Sequence, residues 1–561
     1  MTTSRRTFLK TSGAAAAVSM LGMHTACSVK KKPNMVLIFT DELAYDYLSC
    51  YGGDIATPYI DQLASEGMRF THAYSAAPMC TPSRFGVLTG QYPRRCKHPF
   101  FLKEFPETGP YSIAWNTYLD QTHVTIPRLL SRAGYKTGMC GKWHVGNEDV
   151  EFPYINEDAD LSNEKVDKLL QLRHAIAGEN VRKDAGFDIA QSVSWGNLDG
   201  HPVKALRHHN FPWMTKGAVD IIRECAQTEK PFFLYAATTA VHGPYHPDQF
   251  NHDLNFTPQG KLEGVDQYQL SKENLEKRLD TVPESKHHKV AGMACLDHHV
   301  GIVMQTLDEL GIKDNTIVLF MGDHNIEPGK ATCYDKGNRV PFIVRWPERI
   351  KPGQICDSAV QSVDILPTLL QAAGAEMPKD IEFDGYDMTP LLNDPKSRIR
   401  DSIYLESGYA RSVADGKYKY IAVRYPESVI NAMQKKETKY APNHLNTFKQ
   451  AHSQIAIQHF PHYFDQDQLY DLVNDPFEQN NLAANPDYKD VLEKLRLKLN
   501  EKLRTFSHSY DLELQPFMET NEYKNLAENT KHIGTDYITW LPRDHGRIIW
   551  PPQDPNPTWT R

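Results

Sequence analysis

The 561-residue chain has no CxxC pair. Its nine cysteines stand apart, at 27, 50, 80, 96, 140, 225, 295, 333 and 356, which excludes a zinc ribbon and a thioredoxin-like centre. The count is odd, so a monomer must keep at least one cysteine unpaired. Near the N-terminus the apolar run 13–23 is too short to span a bilayer. An excess of positive charge is also missing: 62 Lys and Arg stand against 70 Asp and Glu, a net charge of −8. This balance argues against a generic nucleic-acid binder, though not against a local basic pocket. There is no internal repeat, and no low-complexity segment beyond an alanine run at 14–17. What is present is ordinary for a folded chain, 40% hydrophobic and 24% charged, with enough length for a large core.

The N-terminus reads Ser4-Arg5-Arg6-Thr7-Phe8-Leu9-Lys10 ahead of that apolar run. It resembles a twin-arginine export signal, used by proteins that leave the cytoplasm already folded. Ala26 before Cys27 fits a lipoprotein cut, whereas His24 is not the small residue an A-x-A site requires. The expected organisation is a signal over 1–26, with Cys27 as candidate lipid carrier, and a tether over 27–33 that includes Lys30-Lys31-Lys32-Pro33. The expected destination is the periplasm or the cell surface.

From residue 34 onward, short apolar runs alternate with helical patterns, which predicts an α/β domain. Runs at 35–39, 231–237, 316–320 and 341–344 read as strands buried on both faces. Segments 60–67, 126–134, 290–311 and 363–374 read as helices, each with glycine near its end. Segments 147–183 and 250–288 are polar and read as excursions from the sheet. The catalytic domain is expected over 34–397. Residues 402–406 and 417–422 read as strands of a separate antiparallel unit, and 487–505 as an amphipathic helix, giving a C-terminal subdomain over 398–505. The extension 506–561 carries Trp540, Trp550 and Trp559 among many prolines.

Four of the apolar runs end in ionisable residues. The first leads into Asp41-Glu42, that at 135–140 into Lys142 and His144, that at 232–240 into His242, and that at 316–321 into Asp323-His324. In an open parallel sheet the carboxyl ends of the strands form the ligand crevice, so these groups should converge there. Asp41, Glu42 and Asp323 offer hard oxygen donors suited to Ca²⁺ or Mg²⁺. His324 adds a nitrogen, so zinc chemistry stays open on donor type alone. The segment Cys80-Thr81-Pro82-Ser83-Arg84, followed by Gly86 and Leu88-Thr89-Gly90, reads as a helix start with Thr81 as N-cap and Gly90 as terminator. Cys80 would then precede the helix N-terminus, either as a nucleophile beside an anion-binding site or as a buried structural cysteine.

Cys80-Thr81-Pro82-Ser83-Arg84 resembles the C-x-P-S-R signature of the type I sulfatases, in the alkaline phosphatase superfamily. Further matches follow in the family's order: 34–41, Gly141-Lys142-Trp143-His144, His242, 315–324, Gly329-Lys330 with Tyr334 and Arg339-Val340-Pro341, 363–368, and Leu469-Tyr470-Asp471-Leu472 with Asp475-Pro476. The resemblance spans roughly 34–485. It implies an alkaline-phosphatase-like, mostly parallel sheet flanked by helices, with a smaller antiparallel C-terminal subdomain. It implies a sulfate ester hydrolase whose Cys80 becomes formylglycine through a formylglycine-generating enzyme. Arg84 would hold that group and His144 would assist its hydrate. Lys142 and Lys330 would neutralise sulfate, and His242 would protonate the leaving oxygen. One Ca²⁺ would be bound by Asp41, Glu42, Asp323 and His324 together with the group made from Cys80. The family more often has Asp where Glu42 stands, and Asn is frequent where His324 stands. An exported enzyme of this kind suits an extracellular sulfated polysaccharide, of algal or glycosaminoglycan type. Arg94-Arg95 with Lys97-His98, and Lys204 with Arg207-His208-His209, are candidate anion contacts. Phe100-Phe101, Trp115, Trp195 and Trp213 are candidate sugar platforms. The alternatives are a phosphonate or phosphate monoester hydrolase of the same superfamily and a non-catalytic glycan-binding lipoprotein.

Overall fold

The computed structural model describes residues 31–514 apart from 105–111, 148, 243–249, 251, 327–328, 428–455, 457–458, 464 and 508–509. Beyond 514 it describes only the paired strands Arg543–Asp544 and Arg547–Ile548. The twin-arginine segment, Cys27, and Trp540, Trp550 and Trp559 lie outside the described residues.

The central sheet has eight strands: β1 (Asn34–Thr40), β2 (Met68–Phe70), β3 (Lys136–Lys142), β4 (Ile189–Ser194), β5 (Phe232–Ala237), β6 (Thr316–Gly322), β7 (Phe342–Arg345) and β8 (Gln354–Cys356). Their order is β8-β2-β7-β6-β1-β5-β3-β4. Pairing is parallel throughout β6-β1-β5-β3-β4. Only β7 runs against its neighbours β6 and β2. As expected of a central strand covered on both sides, every residue of β1 is buried. Met35, Leu37 and Phe39 enter the core on one face, and Val36 and Ile38 enter the core on the other.

Helices cover both faces. On the first lie α2 (Cys80–Thr89), α3 (Ile126–Arg132), α4 (Glu164–Ala185) and α7 (Ile365–Ala373). On the second lie α1 (Pro58–Ser65), α5 (Phe211–Ala226) and α6 (His287–Glu309). The polar segment expected as an excursion supplies α4, which turns Leu170, Ala177, Val181 and Ala185 inward and leaves its other face wet. The start of α2 differs from expectation. Met79, extended at φ −147°, is the N-cap, and its carbonyl accepts from Ser83 N–H at 3.0 Å. Cys80 is therefore the first residue of the helix instead of preceding it. Pro82 is still tolerated, because the first-turn N–H groups have no helical acceptor anyway.

The smaller sheet, in the order β9 (Ile403–Ser407), β10 (Ala410–Ala414), β11 (Tyr418–Val423), β12 (Asp467–Asp471), is antiparallel throughout. Helix α8 (Lys489–Leu503) lays Leu495, Leu499 and Leu503 on it at a spacing of four.

Candidate active site

Strand register gathers the site. Thr40 of β1 lies opposite Gly322 of β6, and Phe39 opposite Ala237 of β5. The next residues therefore emerge together: Asp323 N–H donates to Thr40 O at 2.7 Å, and Asp41 N–H to Ala240 O at 2.6 Å. In β3 the register shifts after Cys140. Gly141 there takes φ +89°, where a Cβ would stand 1.8 Å from Ala237 O. Only glycine fits, and the bulge turns Lys142 into the crevice. Among the described residues, five non-glycines have positive φ, and three of them, Glu42, His144 and Ala331, belong to this edge or adjoin it. Such backbone is characteristic of functional sites.

At the centre is Cys80, 1% exposed. Its Sγ lies 3.3 Å from Asp41 Oδ1 and 3.2 Å from His324 Nε2. Arg84, one turn further along α2 and wholly buried, donates to Asp323 Oδ2 at 3.0 Å and to Lys142 O at 3.1 Å. Lys142 Nζ is held by Asp41 Oδ2 at 2.5 Å and by Asn197 Oδ1. Burial would raise the Asp41 carboxyl. The positive charges of Lys142, Arg84 and His324, joined by His242 when it is protonated, outweigh it and hold Asp41 well below the usual carboxylate range. For Asp323, burial, with Asp41 as a like charge nearby, keeps the carboxyl raised.

The donor set fits a cation. One donor atom each from Asp41, Cys80, Asp323 and His324 lies within 4.8 Å of the others, and all four residues are buried. His324 Nδ1 meets Asn325 O at 2.7 Å, so Nδ1 carries the proton and Nε2 faces the cluster, as a ligating imidazole must. Burial would lower the His324 pKa, but Asp323 and the Cys80 sulfur raise it to about 9, so a cation must displace a proton from Nε2. As it stands, the set offers two carboxylate oxygens, one nitrogen and one sulfur.

Glu42 is not among those four residues. Its Oε2 accepts from Lys330 Nζ at 2.9 Å and lies 3.4 Å from His242 Nε2. Lys330 and His242 are thus brought to the same crevice from the ends of β6 and β5. Burial first, then Lys330, lowers His242 to about 4 despite the opposing pull of Glu42 and Asp41. His144 is pushed well below its usual value by burial and by Lys142. Its Nδ1 is buried without a hydrogen-bond partner among the described residues, as expected where a bound group belongs.

A cleft of about 310 Å³ opens over Asp41 and His242, lined further by Asn197, Asp199, Arg207, His209 and Thr239. Of the basic clusters flagged in the sequence, only Arg207 and His209 reach it. Lys204 pairs with Glu157 and Asp158 at the surface, and Arg95 with Glu382 and Asp384. Among the aromatics, Phe101 and Trp213 are core residues, while half-buried Trp115 packs beside Met79 and Ala331, next to Cys80 and Lys330. Asn197 and Thr239 had no signal in the sequence, because neither ends an apolar run with a charge.

Residues 33–375 match the family model described as Sulfatase. The chain belongs to the sulfatase family. As a sulfatase it is a sulfuric ester hydrolase, and the alkaline-phosphatase-like architecture expected from the motifs is the one found. Residues 2–22 match the twin-arginine translocation signal, so this sulfatase is exported. It is 28% identical over 519 residues to human arylsulfatase A, covering 85% of this chain and 90% of that protein. It is 27% identical over 544 residues to an N-acetylgalactosamine-6-O-sulfatase of Bacteroides thetaiotaomicron, covering 85% and 94%. The crystal structure of Ps i-CgsB in complex with k-i-k-neocarrahexaose shares the fold, with a TM-score of 0.57 over 90% of this chain and 99% of its own at 20% identity.

Proposed function

We propose that this sulfatase removes sulfate from an extracellular sulfated polysaccharide or its oligosaccharides, through formylglycine made from Cys80. The observation that carries this reading is the position of Cys80: buried at the first residue of α2, in reach of Asp41 and His324, with Arg84 and Lys142 around it. Converted by a formylglycine-generating enzyme, Cys80 would supply a hydrated aldehyde whose oxygen is the nucleophile for sulfur. Arg84 holds the base of that residue in place, and His144 takes up a proton of the hydrate. Lys142 and Lys330 set two ammonium groups where sulfate oxygens gain charge in the transition state, in a buried setting where such charges count most. His242 delivers a proton to the leaving oxygen. Asp41, Asp323 and His324, with the oxygen at position 80, would hold Ca²⁺, which when bound supplies positive charge to the nucleophile and to sulfate.

The carbohydrate assignment is supported by the relative named for N-acetylgalactosamine 6-O-sulfate and by the oligosaccharide complex of Ps i-CgsB. It is supported too by the mixed donors and acceptors of the cleft, which suit hydroxyl groups. Trp115 offers a ring for stacking beside the nucleophile. Export, with a lipid on Cys27 as the proposed anchor, puts the enzyme in the periplasm or at the cell surface, where such polymers are met. The test is a panel of defined sulfated oligosaccharides, algal and glycosaminoglycan, assayed for free sulfate beside aryl sulfates, choline sulfate and phosphate esters. Release from at least one oligosaccharide, with little phosphate release, is expected. Activity confined to aryl or choline sulfates would overturn the carbohydrate assignment, and a preference for phosphate esters would overturn the sulfatase reading.

A further inference from the structure

We infer that Arg207 is a specificity-determining residue of the leaving-group cleft, and that it pairs with a second anionic group, a carboxylate or a further sulfate, on the sugar whose sulfate is removed. The inference rests on the sulfated-carbohydrate reading proposed above. If His242 protonates the leaving oxygen, the sugar must lie against His242. The cleft of about 310 Å³ over Asp41 and His242 is the space available there. That volume is at the low end for small-molecule sites and suits a single sugar unit. Among the described residues that line it, Arg207 is the one lysine or arginine, and Asp199 is the one acid besides Asp41.

Arg207 is delivered by the segment 195–210 between β4 and α5. Val203 and Leu206 of that segment are buried with Ile155 and Leu170, which fixes the turn on which Arg207 stands. Its Nε donates to His201 O at 2.7 Å and its Nη2 to Pro202 O at 3.3 Å. Backbone carbonyls carry no full charge, so these bonds orient the planar guanidinium without neutralising it, and they leave Nη1 for a ligand. Glu157 Oε2 lies 3.7 Å from Arg207 Nη2, a long contact between side chains 52% and 36% exposed, and the other Glu157 oxygen is held by Lys204 at 3.0 Å. So wet a pair is weak and yields to a substrate anion. Asp199 Oδ1 accepts from Gly200 N–H at 3.1 Å, and Asp199 forms no ion pair with Arg207. Two opposite charges therefore stand apart in one cleft. An anionic sugar has one favoured orientation there, with its anion on Arg207 and its hydroxyl groups towards Asp199.

The test compares the wild type with Arg207→Gln, both co-produced with a formylglycine-generating enzyme. Kcat and KM are measured on an otherwise neutral disaccharide monosulfate, on its counterpart with a uronate carboxylate, on its counterpart with a second sulfate, and on 4-nitrophenyl sulfate. The wild type should have a kcat/KM at least about tenfold higher on one of the doubly anionic sugars than on the neutral one. Arg207→Gln should remove that preference, mainly by raising KM, with a loss on 4-nitrophenyl sulfate at least about tenfold smaller. The sugar on which the preference falls tells a carboxylate partner from a sulfate. The preference is read first in the wild type, so the inference stays testable even if the variant folds poorly. A wild type as fast on the neutral sugar as on both doubly anionic ones overturns the inference, as does an equal loss on the aryl and doubly anionic esters in the variant. A wild type that releases sulfate from none of the sugars overturns the carbohydrate reading itself, an outcome distinct from a missing preference among them.

Discussion

Asp41 accepts from Lys142 on one oxygen and lies 3.3 Å from Cys80 on the other, so a single side chain ties the proposed nucleophile position to the ammonium proposed to bind sulfate. The residues on this edge were legible in the sequence for a simple reason. An apolar run that ends in Asp, Lys or His marks the carboxyl end of a strand, and parallel strands bring those ends to one edge. Direction was not legible. A carboxylate after a strand reads the same whichever groups its two oxygens meet, and the contacts of Glu42 Oε2 with Lys330 and His242 had no local signal. Nor was Asn197, which holds Lys142 from a loop with no strand-end pattern. His242, lowered to about 4 chiefly by burial, is mostly neutral at pH 7 in the free enzyme. A general acid must carry its proton, and the protonated fraction grows as pH falls. On an unactivated sugar sulfate, kcat/KM should therefore rise as pH is lowered from 7 towards 5. His242→Ala should abolish that rise and cut the rate by about 10²- to 10⁴-fold, with much less effect on 4-nitrophenyl sulfate. An equal loss on both esters would remove His242 from the acid role.

Among the elements, the antiparallel sheet has a clear task at the site. Ser407 of β9 donates to Ala331 O at 2.8 Å, directly beside Lys330. Tyr334 O–H donates to Gln468 of β12 at 2.8 Å, and its ring stacks on Phe460 at 3.8 Å. Lys419 of β11, fully buried, reaches Asp335 at 2.5 Å and Glu478 at 2.8 Å. The second sheet thus clamps the loop that carries Lys330. The sequence marked this sheet as a separate unit by its change of pattern, but the clamp depends on pairings between residues 59 to 134 positions apart, beyond any local signal. Removing one member of a buried ion cluster leaves the others uncompensated, at a cost of about 3–5 kcal/mol. Lys419→Met should therefore lower the unfolding midpoint substantially and reduce kcat through displacement of Lys330. An unchanged midpoint would show that the cluster does not hold the sheets together. The start of α2 illustrates the limit of local reading on a smaller scale. Thr81 is a better N-cap by type than Met79, yet packing of the whole helix against the sheet puts Cys80 in its first turn.

For the molecule as a whole, the net charge of −8 and the proposed polyanionic substrate are reconciled by concentration of positive charge at one edge, in Arg84, Lys142 and Lys330. Cleavage before Cys27 would remove Arg5, Arg6 and Lys10 and no acidic residue, which sharpens that contrast. Because Cys80 is 1% exposed, the proposed converting enzyme would have to reach it before α2 closes onto the sheet, which is compatible with an export route for folded proteins. The most direct test is release of sulfate from a defined sulfated oligosaccharide by the enzyme co-produced with a formylglycine-generating enzyme, compared with its Cys80→Ala variant. Mass spectrometry of the peptide around residue 80 accompanies the assay. An aldehyde at position 80 and sulfate release that disappears with Cys80→Ala are expected. Undiminished release by Cys80→Ala would contradict the assignment of Cys80 as the source of the nucleophile.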